Sequence, residues 1–439
     1  REHLEAGCVP CLLARHDLAR AIHGEGEEAL ARAYSLRERR PSAPEERSRL
    51  LLSVGRRLER LAWVEELEER VAPGLLRELE GLPRAERPHA IRHERRYQLL
   101  GFARYLTRLS REEARRDVAR AEDLGELAME AADSLDSRVY LPRTAADAGA
   151  LAWAALGNAR RVLADPVAAE RAFRMARERL AAGTGAAEVR AEFLSLLGSL
   201  RRAQAAFAES RKVLAEALAL AERAGEVELQ KRLILKLAKS TGEGGDPEGA
   251  VALLGRSAQL VDQPVPEDLS HYRLQALAAW LAELDRPAEA RAAFEQVKEL
   301  WLSRMPGAAD RERLFWLGAR ISWAEGDLDG ADEQLQGVRD AFRELGAHYD
   351  FALATLDQAL LYLEQGRTAD VRRLASEMLP VFTSRSLHRH ALAALVLFQR
   401  AAEAEEATAA WVRELARYLR HARGNPLLRF PGAPAGEEG

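Results

Sequence analysis

The sequence predicts an all-α fold of stacked antiparallel helix hairpins, and three observations favour it. Ala, Leu, Glu and Arg are abundant, with 47% hydrophobic and 31% charged residues, as is typical of a soluble helical protein. At 439 residues the chain is too long for one compact core, because such cores stop growing at roughly 250–300 residues. Small residues also recur at a fixed interval of 40 or 41 positions, which indicates a repeat array.

Two series of mostly small residues define the repeat. The first series interrupts successive helical apolar stripes and comprises Gly157, Gly198, Ala238, Ala278, Ala319 and Ala359. The second series follows twelve positions after each member and comprises Ala169, Ser210, Ala250, Ala290, Ala331 and Val371. A bulky apolar residue usually comes four positions later, as Phe173, Leu214, Leu254, Phe294 and Leu335. A register held over six units is more specific than any single motif.

Turn residues separate the two series in most units. They occur at 164–166, 244–247, 285–287, 326–327 and 366–367. Each unit is therefore predicted to be two antiparallel helices joined by a short turn, with small residues where the two backbones approach. This explains Gly198, although glycine inside a helix costs about 1 kcal/mol relative to alanine. A large side chain there would push the two helices apart.

These positions resemble the tetratricopeptide repeat (TPR) superfamily. One unit matches its pattern through Trp153, Leu156, Gly157, Ala169, Phe173 and Ala176, and the next through Leu194, Leu197, Gly198, Leu214 and Ala217. Units of about 40 residues, rather than 34, are similar to the longer-helix members of the superfamily. The resemblance implies a right-handed superhelical solenoid whose first helices line a concave binding surface.

Composition and breakers suggest five segments along the chain. Residues 1–43 form an N-terminal helical segment with a His/Cys motif, and 44–144 an irregular helical region ending in a linker. Residues 145–386 carry the TPR-like repeats. Residues 387–423 are predicted to be capping helices with a polar outer face of Glu and Arg, since array ends need such caps. Residues 424–439 are a tail rich in Pro and Gly.

Both cysteines of the chain lie close to its first residue, beside a histidine. His3, Cys8 and Cys11 have a spacing that lets two thiolates and an imidazole reach one tetrahedral zinc. The motif resembles the zinc-binding segment of anti-sigma factors. A fourth ligand is missing and would come from upstream of Arg1 or from His16. A metal-free pair of reduced thiols and a disulfide are the alternatives, so zinc is the one cofactor for which the sequence gives an indication.

No catalytic motif is present in the sequence. It has no Gly-x-Ser-x-Gly elbow, no phosphate-binding Gly-Lys-Ser/Thr loop and no His-Glu-x-x-His pair, so no enzymatic activity is predicted. The net charge of −4 does not favour nucleic acid as a partner. Residues 84–120 do contain eleven Arg against five acidic residues, which is either a surface for an acidic partner or nucleic acid, or a solvated face. No apolar run is long enough to cross a membrane.

The TPR resemblance implies a set of residues on the concave surface. They are Asn158, Arg161, Arg202, Arg232, Lys239, Trp316, Arg320 and Trp323. Basic and aromatic groups of this kind suit a carboxylate-bearing or acidic peptide. The alternative for Trp316 and Trp323, seven positions apart, is that they belong to the core.

Two functions follow as hypotheses. The first is a non-enzymatic protein- or peptide-binding repeat protein that serves as a bacterial regulatory scaffold. The second is a structural subunit that assembles head to tail into a filament or oligomer, because heterologous contacts need not close. Few cysteines fit a bacterial cytoplasm, while export stays open because the sequence begins at Arg1.

Overall fold

The computed structural model describes residues 66–114, 116–259, 267–302, 307–378, 388–423 and 425–430. These residues form helices and short turns, and no strand occurs among them. They divide into two compact units. Unit 1 holds the described residues up to Leu163 together with Val167–Leu196, and unit 2 holds Ala164–Pro166 and the described residues from Leu197 onward.

The helices follow one another as sequential hairpins, which confirms the predicted all-α, TPR-like fold class. The first part of the chain contains α1 (66–80), α2 (Arg87–His93), α3 (Leu100–Glu113), α4 (Val118–Asp133), α5 (Pro142–Val162), α6 (Pro166–Ala181) and α7 (Ala187–Ala203). The middle contains α8 (Phe207–Ala224), α9 (Val227–Glu243), α10 (Pro247–Gln259), α11 (Glu267–Glu283) and α12 (Pro287–Leu302). The last part contains α13 (Ala308–Ala324), α14 (Leu328–Glu344), α15 (His348–Glu364), α16 (Thr368–Glu377), α17 (Arg389–Glu403) and α18 (Ala409–Ala422).

The small residues lie inside the hairpins, as the sequence predicts. A Cβ atom on Gly157 would come within 2.8 Å of the Phe173 ring, and one on Gly198 within 2.5 Å of Leu214 Cγ. Ser210 is fully buried, and its hydroxyl donates a hydrogen bond of 2.8 Å to the carbonyl of Gly198. Ser210, which stands where most other units have alanine, therefore links the two helices by a hydrogen bond to the Gly198 carbonyl. That carbonyl is accessible because glycine has no side chain.

Every hairpin turn of the repeat contains one residue in the left-handed conformation, always seven positions after the first small residue. These residues are Ala164, Ala205, Gly245, Asp285, Gly326 and Gly366. From the second turn onward the backbone closes each helix with the same bond, such as Ala206 N–H to Arg201 C=O at 2.9 Å. The sequence had offered no turn signal near Ala205, because neither glycine nor proline occurs there.

Unit 1 uses the same device of close helix approach with different residues. A Cβ atom on Gly101 of α3 would lie 2.5 Å from Glu68 Cβ of α1. The buried Glu68 carboxylate accepts hydrogen bonds from Gly101 N–H at 2.9 Å and from the Tyr140 hydroxyl at 2.8 Å. In the next hairpin the Ser110 hydroxyl donates to Ala121 C=O at 2.7 Å, much as Ser210 does in unit 2. Unit 1 thus contains a degenerate hairpin of the same type.

Candidate ligand-binding surface

In unit 2, the first helices of successive repeats lie beside one another. We call this set, α9, α11, α13 and α15 with the end of α7, the first-helix layer. Side chains one repeat apart join its members. Arg202 donates to Glu243 at 2.8 Å, Trp316 Nε1 to Asp357 Oδ2 at 3.0 Å and Trp323 Nε1 to Glu364 Oε2 at 3.1 Å. The three pairs are each 41 residues apart, so the sequence period sets their contact.

Most of the residues expected on the binding surface already have polar partners in the structure. Asn158 is buried in unit 1, where its side-chain oxygen accepts from Arg161 at 2.9 Å. Trp316 also packs edge-on against Phe342, with 6.1 Å between ring centroids, while its indole N–H is bonded to Asp357. Arg232 is half-buried and Lys239 is exposed. The residues therefore lie on the first helices, and several of them also stabilise the contacts between repeats.

The pair Arg202–Glu243 is the best-defined ion pair of the layer. Burial by itself would raise the pKa of Glu243, but the charges of Arg202 and Lys239 and the hydrogen bond from Arg202 outweigh it and lower that pKa. Glu243 is therefore held as a carboxylate at neutral pH. Its negative charge offsets part of the positive charge that Arg202 and Lys239 bring to this end of the layer.

The C-terminal helix α18 lies against α15 of the first-helix layer and carries exposed charged residues such as Arg413, Glu414 and Arg417. It runs antiparallel to α15, with Arg413 bonded to Glu364 at 2.7 Å and Arg423 to Asp350 at 2.8 Å. Between them, Arg420 lies 3.7 Å from Asp357. The acidic residues are spaced by seven along α15, as are Arg413 and Arg420 along α18, so the matching charge spacing is a signal in the sequence for the contact between these two helices.

The end of α18 meets several parts of unit 2 at once. The His421 ring lies 4.9 Å from the Phe207 ring at the start of α8. Burial lowers the pKa of His421, Glu243 opposes that shift, and the charges of Arg202, Arg420 and Arg417 add to it. Side chains of α7, α8 and α9 therefore surround the end of the C-terminal helix. The residues of α18 are part of the candidate surface.

Three arginines stand out within this surface, and we call Arg320, Arg417 and Arg420 the arginine cluster. The Asp357 carboxylate, whose side chain is only 4% exposed, lies 3.7 Å from both Arg320 and Arg420. That separation is too long for a hydrogen bond. Burial lowers the pKa of Arg420 and the charges of Arg320 and Arg417 add to that shift, while the charges of Asp357 and Glu283 oppose it. Three arginines thus face the two carboxylates of Asp357 and Glu283, which leaves an excess of one positive charge.

The arginine-rich segment 84–120 has a different character, because its side chains pair within unit 1. Arg84 bonds to Asp123 at 2.7 Å, Arg111 to Glu192 at 2.8 Å and Arg120 to Glu80 at 2.9 Å. These carboxylates come from outside the segment, so the local excess of arginine in the sequence does not produce an equal excess of charge on the folded unit.

The proposed zinc ligands His3, Cys8 and Cys11 lie outside the described residues, as does His16, and the zinc site stays a prediction. Among the described residues, no group of three or more His, Cys, Asp or Glu side chains is arranged to hold a metal ion. None of the helices in that part of the chain has the length and apolar character needed to cross a membrane.

Comparison with known proteins supports the fold and leaves the family open. No family model matches the sequence, and no curated protein matches it. The structure is similar to a Rap protein complexed with Competence and Sporulation Factor, with a TM-score of 0.54, 10% identity, and coverage of 73% of this chain and 88% of that one. It is also similar to aspartyl phosphate phosphatase F from Bacillus subtilis, with a TM-score of 0.51, 13% identity, and coverage of 86% and 95%. A weaker match is pilF from Pseudomonas aeruginosa, with a TM-score of 0.35, 18% identity, and coverage of 56% and 96%.

Proposed function

We propose that this chain is a non-enzymatic TPR-like protein that binds a segment of a protein or peptide partner on the first-helix layer of unit 2, as a bacterial regulatory scaffold. The observation that carries the proposal is the meeting of the layer with α18, where basic groups from α7, α13 and α18 lie together with part of their surface exposed. A stack of helical hairpins offers an extended surface of this kind for a partner chain.

The fold comparison adds support of a general kind. One structure with the same fold contains Competence and Sporulation Factor as a bound partner, so this architecture accommodates a ligand in at least that protein. The proposed setting is the bacterial cytoplasm. The proposal also holds that the chain acts by binding alone, since the polar side chains of the layer form ion pairs between repeats and the sequence lacks a catalytic motif.

The test is affinity capture from a lysate of the source cells at physiological salt, with two matched variants of the full chain. R232E/K239E reverses two charges on α9 of the first-helix layer, whereas K212E/R223E reverses two exposed charges on α8, a second helix. We expect one partner to be captured by the wild type and by K212E/R223E, and to be lost with R232E/K239E. A partner lost equally with both variants, or captured equally by both, would contradict the assignment of the surface.

Size-exclusion chromatography with light scattering separates this function from head-to-tail assembly. A chain that binds a partner stays at one mass over a wide range of concentrations, whereas a filament subunit grows in mass as its concentration rises. Growth in mass without capture of a partner would favour the structural hypothesis and count against the proposal.

A further inference from the structure

The arginine cluster differs from the other arginines that α13 and α18 direct at α15. Arg313 and Arg423 share the Asp350 carboxylate and Arg413 bonds to Glu364, each as a hydrogen bond of 2.7 or 2.8 Å. Arg320 and Arg420 lie 3.7 Å from a single shared carboxylate. Asp357 is engaged elsewhere, since it accepts the Trp316 indole N–H at 3.0 Å.

Charge and exposure together show what the cluster lacks. The Asp357 carboxylate faces two guanidinium groups, Arg417 adds a third positive charge one turn away on α18, and Glu283 is the second carboxylate that acts on Arg420. The Arg320 side chain is 27% exposed and that of Arg420 is 41% exposed, so both remain within reach of a ligand. In the described part of the chain, neither has a hydrogen bond to an acidic group. A counter-anion from outside would complete the arrangement.

Guanidinium groups are suited to one class of anion. The planar fork of N–H donors matches the two oxygens of a carboxylate and forms charge-assisted hydrogen bonds with it. Positive charges that lie close together without enough carboxylates to balance them destabilise a folded protein. Such an unfavourable arrangement is expected at functional sites. A carboxylate of a ligand would neutralise the positive charge that Asp357 and Glu283 leave unbalanced at the cluster.

We propose that Arg320 of α13 and Arg420 of α18 bind a carboxylate of an acidic peptide segment, with Arg417 adding to the local positive potential. The proposal rests on the proposed function, because it names the chemistry by which the partner is held on that surface. It also gives α18 a role in recognition, since only this helix brings Arg420 opposite Arg320.

The test uses the full chain and a fluorescein-labelled hexaglutamate peptide, followed by fluorescence anisotropy. R320Q/R420Q removes both charges, and R320Q/R400Q is the matched control, because Arg400 is an exposed arginine on a different helix, α17. We expect wild-type protein to bind the peptide, R320Q/R420Q to bind at least tenfold more weakly, and R320Q/R400Q to fall between them. Equal binding by wild type and R320Q/R420Q would overturn the proposal, as would absence of binding to the wild type.

Competition identifies the source of the anion. Unlabelled hexaglutamate should displace the labelled peptide, whereas inorganic phosphate at the same concentration of charge should not. Displacement by phosphate alone would show a site for a free inorganic anion and would overturn the peptide assignment. If the wild type captures a partner from lysate and R320Q/R420Q captures it equally well, the assignment of the arginine cluster as the carboxylate-binding site is wrong. The proposed function would still stand.

Thermal unfolding distinguishes a recognition role from a structural one. If Arg320 and Arg420 serve ligand binding and lower the stability of the free protein, R420Q alone should leave its melting temperature unchanged or raise it. The substitution removes the repulsion between Arg420 and Arg320. A clear fall in melting temperature in R420Q would show that the residue stabilises the fold through Asp357 and would contradict the proposal.

Discussion

At the scale of single residues, the repeat depends on small side chains and on one backbone conformation. The buried Ser210 and Gly198 pair shows that a hydroxyl can replace alanine where the facing backbone offers a carbonyl. Ala205 shows that the left-handed turn position is filled by an ordinary residue when the rest of the hairpin fixes it, at φ 60°. For residues with a side chain that conformation costs roughly 1–2 kcal/mol. Packing within the hairpin therefore outweighs a local strain.

Ala205→Gly is predicted to stabilise the protein by about 0.5–1 kcal/mol, since glycine adopts the left-handed conformation without the steric cost. Gly326 occupies the same place in a later turn with φ 84°, and Gly326→Ala is predicted to destabilise by about 1 kcal/mol. Urea unfolding followed by circular dichroism measures both. Changes of the same sign in the two variants would contradict the role assigned to the turn.

Gly198→Ala is predicted to destabilise the protein by about 1–3 kcal/mol, because the added Cβ would lie 2.5 Å from Leu214 Cγ. Gly337→Ala on α14 is the control, since no heavy atom lies within 4 Å of a Cβ at that exposed helical position. It is predicted to stabilise by about 0.5–1 kcal/mol through helix propensity alone. Equal shifts of the urea midpoint would show that Gly198 does not mark a close approach.

At the scale of helices, charged and indole side chains fix neighbouring repeats one period apart. The chain places a donor and an acceptor 41 residues apart in three separate pairs of the first-helix layer. The same chemistry attaches α18 to α15 through Arg413 and Arg423. Arg202, Trp316 and Trp323, which the sequence suggested as ligand-binding residues, therefore also hold the first helices of neighbouring repeats together.

The Arg202–Glu243 pair should make stability depend on pH in the acid range. Because the folded pKa of Glu243 is lowered below its usual 4.5, the unfolded chain binds more protons there, and the pair's contribution is present above pH 4.5 and lost as the pH falls through the folded pKa. The free energy of unfolding of wild type minus that of E243Q should therefore shrink as the pH falls below 4.5. In an R202Q background the same comparison should vary less with pH, and an unchanged pH dependence there would refute the coupling.

The repeat and the helix hairpins could be predicted from sequence, because two helices can approach closely only where their side chains are small. Small residues recur at a fixed period, at Gly157, Gly198 and the alanines that follow. Positions that break the pattern could not. Arg339 is only 1% exposed, yet it bonds to Gln358 and Glu377, which lie on two different helices. Its partners stand at no regular offset. The docking of α18 was missed because a terminal helix with arginines is equally typical of a solvated cap.

At the scale of the whole molecule, the described residues form two compact units built from the same kind of hairpin. Several arginines of unit 1 pair with carboxylates of the same unit, whereas unit 2 leaves an excess of positive charge at the arginine cluster. This difference favours unit 2 as the part that binds a partner. The fold is shared with solved structures at 10% and 13% identity, so the chemistry of the surface must distinguish the function of this chain.

Site-specific photocrosslinking tests the central claim, that a partner binds on the first-helix layer of unit 2. Benzoylphenylalanine is introduced into the full chain at Trp323 on α13 or at Lys212 on α8, and each protein is irradiated in source-cell lysate. The account predicts one discrete crosslinked partner from position 323 and none from position 212. A partner crosslinked only from position 212, or equally from both positions, would contradict it.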